Sequence, residues 1–381
     1  MNSLTINYLT HRVDSGGTYF RYHNLAVALT QLGHKVTVFS SDATPGAKDR
    51  EEVRDGILYR IIPYPYHRFN FLRPFLIDYP PCDVAHLFQS FLAPALVWQW
   101  IMPKRTKILF YDWDDLFVGG LLPKNTPIIG GSPYNLIKYL TIGQIEKNFP
   151  KKATHVTTCS HFLADLAEQQ KAKKVTVIHN GFWPFSIPDK QLARSKLGLQ
   201  KDGLYLGYMG ISTNTGLSWC LKALKENLHR DQKLRFALCG PPNWDLDELD
   251  SETRQRVDYL GLLPPLVTRD FAAALDVGLL ALEDNTFNRS RFPIKFAEYL
   301  AANIPVLCSD VGECAQLSKN LPFVINAGKT YDEFLESFSE VVTLMKDDSL
   351  RKVDKGKVEQ LFSWESIGKK LLECYYQEIG R

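Results

Sequence analysis

At 381 residues the chain exceeds what one hydrophobic core of ordinary size organises, and it suits two domains. Its 45% hydrophobic and 12% aromatic content is enough to fill such cores and excludes extensive disorder. The net charge of +3 is unevenly divided, with 20 Lys and Arg against 14 Asp and Glu in residues 1–185, then 25 against 28 in residues 186–381. A basic first half suits an anionic lipid surface or an acidic acceptor, or is an ordinary solvated surface.

Leu4–Leu9 reads as an apolar strand. The turn Asp14-Ser15-Gly16-Gly17 follows, then an amphipathic helix in which Phe20, Leu25, Leu29 and Leu32 recur near helical spacing before Gly33. Lys35–Ser40 alternates Val36 and Val38 against Lys35 and Thr37, the pattern of a strand. Further strands are expected at Ile57–Ile61, Asp83–Leu87, Lys107–Tyr111, His155–Thr158 and Lys174–Ile178. Helices are expected near Leu92–Ile101, Tyr134–Lys147 and His161–Gln169. Such alternation predicts a parallel sheet covered on both faces. At Asn180–Asp189 the composition changes: Gly181, Pro184 and Pro188 sit among aromatics without helical period, which predicts a linker. A second series follows, with strands near Leu204–Met209, Leu234–Leu238, Asp258–Leu260, Val277–Ala281, Pro305–Ser309 and Phe323–Val324. A helix is expected at Pro293–Ala302, and an amphipathic one after Phe362-Ser363-Trp364. The expected organisation is an N-terminal domain of residues 1–185, a C-terminal domain of residues 186–362, and a closing helix in 363–381 that packs back toward the first domain.

Seven scattered cysteines (Cys82, Cys159, Cys220, Cys239, Cys308, Cys314 and Cys374) form no C-x-x-C pair, which suits reduced thiols better than a disulfide framework or a zinc site. Met1–Thr10 has no basic stretch before an apolar run, and no segment reaches about 18 uninterrupted apolar residues. The expected location is the cytoplasm, including its membrane face.

Two segments suit an anionic ligand. Gly16 and Gly17 lie between strand and helix, where glycine admits positive φ and the helix start offers free N–H groups; a merely tight turn has the same spelling. The second runs Asn288-Arg289-Ser290-Arg291-Phe292-Pro293-Ile294-Lys295-Phe296-Ala297-Glu298. Pro293 suits a first helical turn, so Arg289, Arg291 and Lys295 would gather cations at a helix start, as a diphosphate requires. Lys295 and Glu298 share a helix face at i,i+3. Either they form an ordinary surface pair, or Glu298 accepts ribose hydroxyls while Lys295 holds a phosphate.

In order along nearly the whole chain, Asp14-Ser15-Gly16-Gly17 with Leu32–Val38, Asp83-Val84-Ala85-His86, Val177–Gly181, Gly207-Tyr208-Met209-Gly210, Leu260-Gly261, Lys295–Pro305 and Phe362-Ser363-Trp364 resemble the GT-B nucleotide-sugar glycosyltransferases of the Glu-x7-Glu, group 1 family. The resemblance implies an α/β fold of two Rossmann-like, doubly wound domains facing a central cleft. It implies metal-independent transfer of a hexose-type sugar from a nucleotide diphosphate donor, a UDP-sugar by preference, to a hydroxyl of a saccharide or lipid-linked acceptor. No further cofactor is expected. The second domain would hold the nucleotide through Gly210, Ser290, Arg291, Lys295 and Glu298, with the Gly16-Gly17 loop near the donor phosphates. Where relatives often carry a catalytic His after the strand matching Lys107–Tyr111, this chain has Asp112, in Tyr111-Asp112-Trp113-Asp114-Asp115. Asp112 is the expected general base, with Asp114 and Asp115 as structural or acceptor-binding groups.

This sequence departs from the family pattern in three ways. Ser290 stands where the first Glu of Glu-x7-Glu belongs, which leaves the donor sugar undetermined. Ile211–Gly216 lacks the Arg and Lys that many relatives place after Gly210, so Arg289, Arg291 and Lys295 are expected to neutralise the leaving group. Asp112 for His, with Ser290 for Glu, leaves both retaining and inverting outcomes open. Asp112-Trp113-Asp114 spells a metal-binding Asp-x-Asp but lies in the acceptor domain, so no metal is expected. His86 is expected to pack or line the acceptor site. The aromatic and arginine-rich segment Arg60–Leu76 suggests a rim touching an anionic membrane, or a packed edge; nucleic acid is not an expected partner. The rival readings are a sugar-nucleotide epimerase of the same fold and a non-catalytic two-domain sugar-binding protein.

Overall fold

The computed structural model describes residues 3–13, 16–65, 70–120, 133–210, 216–241 and 246–380. The chain divides into two compact units, Met1–Asn180 with Trp364–Arg381, and Gly181–Ser363.

In the first unit the elements run β1 (Thr5–Leu9), α1 (Gly16–Gln31), β2 (Lys35–Asp42), β3 (Arg50–Arg54), β4 (Ile57–Pro63), α2 (Arg73–Leu76), β5 (Val84–Phe88), α3 (Leu92–Trp100), β6 (Leu109–Trp113), α4 (Pro133–Asn148), β7 (His155–Thr158), α5 (His161–Gln169) and β8 (Val175–Val177). They form an eight-stranded sheet in the order β3-β4-β2-β1-β5-β6-β7-β8. All pairings are parallel except β3 with β4. The sheet order turns between β1 and β5, the place where doubly wound sheets open a crevice at their strand ends. β5 is buried at every position, as a strand covered on both faces requires. β3, Arg-Glu-Glu-Val-Arg, is absent from the sequence reading because it has no apolar alternation. It is an edge strand closed by Asp55 and Gly56, both at positive φ (50° and 78°), the geometry of a tight hairpin turn. The last helix of the chain, α15 (Trp364–Ile379), belongs to this unit. Its stripe Trp364, Ile367, Gly368, Leu371, Cys374 and Tyr375 is buried. A Cβ at Gly368 would fall 2.5 Å from that of Ala28, so glycine sets how closely α15 approaches α1.

The second unit runs α6 (Lys190–Lys196), β9 (Leu204–Met209), α7 (Leu217–Asn227), β10 (Leu234–Cys239), α8 (Ser251–Gln255), β11 (Val257–Tyr259), α9 (Val267–Ala274), β12 (Val277–Leu280), α10 (Thr286–Ser290), α11 (Ile294–Ala301), β13 (Val306–Cys308), α12 (Gly312–Ser318), β14 (Val324–Asn326), α13 (Tyr331–Lys346) and α14 (Lys355–Phe362). Its six strands are all parallel, in the order β11-β10-β9-β12-β13-β14. Leu206, Tyr208, Phe236, Leu238, Phe334 and Phe338 are among the residues of its core; burying each such side chain stabilises the unit by about 1.5–3 kcal/mol. The doubly wound α/β expectation holds in both halves of the chain.

Candidate active site

In the second unit the strand ends β9 and β10 finish on Gly210 and Gly240, and α11 starts beside them. Pro293 is the residue before that helix, with φ −66° and ψ 117°. Tyr299 locks α11 in place: its hydroxyl accepts from the Met209 N–H (2.8 Å) and donates to the Gly207 carbonyl (3.2 Å). Its ring fills the space that a side chain at Gly278 of β12 would need. Held this way, α11 puts Lys295 over β9, its Nζ 4.2 Å from the Tyr208 ring centroid. A Cβ on Gly210 would sit 2.5 Å from that ammonium. Glu298 follows on the same helix face.

Among the described residues, neither the Lys295 ammonium nor the Glu298 carboxylate has a hydrogen-bond or ion-pair partner. The i,i+3 surface pair is therefore not formed. Burial, then repulsion from Arg291, lowers the Lys295 pKa to about 7. Burial raises that of Glu298, although Lys295 and Arg269 pull against it. A desolvated cation and acid left without partners at a strand end are poised for a ligand carrying both negative charge and hydroxyls.

The neighbouring cations divide. Arg289 is committed to Asp284, through Nε to Oδ1 (2.5 Å) and Nη2 to Oδ2 (2.7 Å). A leaving group would have to compete with Asp284 for it. Arg291 packs its guanidinium on the Phe287 ring, 4.4 Å from the centroid. Ser290 is fully buried and donates back to the Phe287 carbonyl at 2.9 Å. Residues 211–215, the loop expected to lack basic groups, lie outside the described residues.

In the first unit Gly16 and Gly17 open α1, both exposed, with Gly16 at φ 63°; Asp14 and Ser15 lie outside the described residues. Inside the unit, Arg21 reaches from α1 to Asp112 through Nε and Nη2, both at 2.8 Å, while its Nη1 donates to the Asn180 side-chain Oδ1 at 3.1 Å. Thr157 donates a third bond to Asp112 at 2.6 Å. Asp112 is fully buried. Its acceptor capacity is directed into the protein, which favours an anchor over a proton-abstracting base. Burial opposes the Arg21 charge, yet Asp112 more than restores it and the guanidinium pKa is raised.

Asp114 is placed differently. It lies 3.8 Å from Arg21 Nε and receives one long bond, from Asn180 Nδ2 at 3.4 Å. Burial pushes its carboxyl up to about 7, against Arg21 and with help from Asp115 and Asp112. Glu146 also rises to about 7 by burial, but it is spent on the Phe117 and Val118 N–H groups (2.7 and 3.1 Å). His86 is buried between Tyr375 (2.7 Å) and Thr157 (3.2 Å), and burial holds it neutral, near 3; it packs, as expected.

The sequence reading passed over two residues. Arg21 sits on the apolar stripe of α1, four residues before the buried Leu25, and a cation in such a stripe signals a buried partner. Gln89, one residue past β5, is fully buried with neither amide atom hydrogen-bonded among the described residues, and it holds a left-handed φ of 67°. An unmet buried amide and a non-glycine left-handed residue each cost about 1–3 kcal/mol.

Residues 15–182 match the model of Glycosyltransferase Family 4, and residues 200–343 that of Glycosyl transferases group 1. A Bacillus subtilis (strain 168) protein named as a teichuronic acid biosynthesis glycosyltransferase, TuaH, is 21% identical over 301 residues, covering 77% of this chain and 71% of that protein. Among solved structures, a sucrose-phosphate synthase from Thermosynechococcus elongatus superposes with a TM-score of 0.73 at 17% identity, over 99% of both chains. Anabaena HepE, in complex with UDP and glucose, superposes with a TM-score of 0.67 at 14% identity, over 98% of this chain and 100% of that one. At these identities the structures speak for the fold.

Proposed function

Given that this chain belongs to the group 1 glycosyltransferases of GT-B architecture, we propose that it moves a hexose-type sugar from a UDP-sugar to a hydroxyl of a saccharide or lipid-linked acceptor, without a metal ion. The observation that carries this reading is the Lys295–Glu298 pair beside Gly210, which among the described residues has no hydrogen-bond or ion-pair partner. Lys295 neutralises the diphosphate, Glu298 accepts the ribose hydroxyls, and Gly210 lets the phosphates approach the backbone. Arg291 stands near enough to Lys295 to depress it electrostatically and adds positive potential to the same place. Ser290 is proposed as a further donor contact of the second unit, and the Gly16-Gly17 helix start as an anion-binding group of the first.

The acceptor belongs to the first unit. Its hydroxyl gives its proton to a carboxylate as the new glycosidic bond forms and the bond from the sugar to the diphosphate breaks. Asp114, with one long hydrogen bond and a pKa near 7, fits that role better than Asp112, which positions Arg21 and Asn180. The UDP preference is supported by the HepE complex with UDP and glucose. A polymeric acceptor is supported by the name of the Bacillus subtilis relative.

No helix among the described residues is long and apolar enough to cross a membrane. Contact with an anionic cytoplasmic bilayer surface, for a lipid-linked acceptor, is better supported on the α3–α4 face than on Arg60–Leu76. There Arg60 pairs with Glu51 and Arg73 with Asp49, and residues 66–69 lie outside the described set. On α3 and α4 Trp100, Leu140 and Lys147 are exposed, and in the segments that follow α3 and α4 Lys104, Lys107, Lys151 and Lys152 are exposed; among the described residues none of these lysines has an acidic partner.

The test is isothermal titration with UDP and with GDP in EDTA, on the wild type and on Lys295→Ala and Glu298→Ala. Micromolar binding of UDP, weakened in both variants, is the expected result. Binding of neither nucleotide refutes the donor site.

A further inference from the structure

An open cleft of about 710 Å³ lies at the edge of the first unit's sheet, within the range of about 300–1,000 Å³ usual for small-molecule sites. Six charged residues line it: Arg50 at the start of β3, Arg60 in β4, Arg73 at the start of α2, and Asp49, Glu51 and Asp78. β3 runs antiparallel to β4 with Arg50 opposite Ile61, so the cleft sits at the carboxyl end of β4. The parallel strands of the sheet all end on that side, where doubly wound sheets bind their ligands.

A ligand can reach these groups. The side chains of Arg50, Arg60 and Arg73 are 36%, 29% and 43% exposed, and Leu76, which also lines the cleft, is 80% exposed. Each guanidinium is steadied by a carboxylate. Arg60 Nε lies 2.8 Å from Glu51 Oε1, Arg73 Nη1 donates to Asp49 at 2.5 Å, and Arg50 Nη1 donates to Asp42 at 2.8 Å. Arg60 also donates to the Asp78 carbonyl at 3.0 Å. Pairs this exposed hold their partners loosely, so N–H donors and carboxylate acceptors both stay open to a ligand. The lining charges cancel, three against three, which gives the cleft no net pull on an anion or a cation. Between the charges its walls are aliphatic, from Ile61, Ile62, Leu76 and Ile77.

We propose that this cleft holds uncharged sugar units of the acceptor, away from the reacting hydroxyl. Pyranose hydroxyls both donate and accept, which guanidinium and carboxylate groups side by side complement, and aliphatic walls suit the C–H faces of the rings. Ile62 and Ile77 also line a smaller cavity that reaches Leu9, Thr10 and His11 at the end of β1. A saccharide chain lying across both runs from the sheet edge toward β1, where the strand order turns. Binding made far from the reacting hydroxyl favours a growing chain over a free sugar. The proposal goes beyond the transferase reading by adding a site, and rests on it only in calling the bound saccharide the acceptor.

The experiment titrates maltotriose, cellotriose, laminaritriose and trigalacturonic acid, and separately UDP, into the wild type, Arg73→Gln and Leu76→Ser. Both substitutions fall on exposed side chains, so melting should move by less than about 2 °C. The wild type is expected to bind at least one neutral trisaccharide with an affinity indifferent to salt. Each variant should lose at least fivefold in that affinity and keep the UDP Kd within twofold. Should Arg73→Gln fail to fold, Leu76→Ser decides alone. Unchanged trisaccharide affinity in the folded variants puts the sugar elsewhere and overturns the proposal. Tightest binding of trigalacturonic acid, fading as salt is added, makes the cleft an anion site and overturns it too. UDP binding without binding of any neutral trisaccharide overturns the cleft and spares the donor site. Trisaccharide binding that the variants lose, without UDP binding, keeps the cleft and strikes the transferase reading.

Discussion

If Lys295 holds the donor diphosphate, nucleotide affinity must carry the protonation of that one group. Burial and Arg291 lower its pKa to about 7 in the free protein, whereas an ammonium beside a diphosphate stays charged well above that. The sign follows: UDP binding takes up a proton, so affinity falls as pH rises above 7. About half of the lysines are charged at pH 7 and about one in a hundred at pH 9, so Kd should weaken about 50-fold over that interval, or ~2.3 kcal/mol. Titration calorimetry in buffers of different ionisation enthalpy reads the same event directly. It should find about half a proton taken up at pH 7 and nearly one at pH 8.5. Lys295→Arg keeps its charge throughout and should show a flat profile, while Lys295→Met should bind weakly at every pH. A wild-type affinity that stays level from pH 7 to 9, with no proton uptake, refutes the assignment of Lys295 to the diphosphate.

Asp114→Asn should abolish transfer while leaving UDP binding intact. In the wild type at saturating donor, turnover should rise with pH through about 7 as the buried carboxyl ionises; a profile flat from pH 6 to 8 counts against Asp114 as base. Removing one partner of the buried Arg21–Asp112 pair, as Arg21→Met or Asp112→Asn, should cost about 3–5 kcal/mol by chemical denaturation, and Arg21→Met with Asp112→Leu should recover much of it. A double variant that loses the sum of the two single losses would show that the pair does not act as a unit. Lys151→Glu with Lys152→Glu should reduce co-sedimentation with vesicles containing phosphatidylglycerol; unchanged sedimentation removes the α3–α4 face as the membrane contact.

The elements most legible in the sequence were those whose signal is local. The β-branched stretch His155–Thr158 and the apolar run Leu204–Met209 fall where they were read. Lys295 and Glu298 are found by counting along one helix. The edge strand Arg50–Arg54 was lost because its residues are charged, though the Asp55-Gly56 turn beside it was a usable hairpin signal. The pairing of Arg289 was also missed, although its partner Asp284 stands only five residues earlier. Asp112 shows the deeper limit. Its role depends on Arg21, 91 residues away, and only the folded sheet brings the two within hydrogen-bond reach. The strain at Gln89 is likewise a property of φ, which residue types do not reveal at a glutamine.

The return of α15 to the first unit has a consequence for biosynthesis. Residues 1–180 leave the ribosome before residues 181–363 but lack Tyr375, which bonds His86, and Glu378, which pairs with His155 and Lys174, until residues 364–381 have followed. At about 5–20 residues per second, residues 181–363 take roughly 10–40 s to emerge. During that time the α1 surface that Gly368 will later press against stays bare. The unit encoded second is contiguous and is free to fold first, while the unit encoded first closes last. A nascent chain stalled before residue 364 should therefore show protease resistance in Gly181–Ser363 ahead of Met1–Asn180, and nonsense mutations in the last helix should damage the half of the protein that was made at the start.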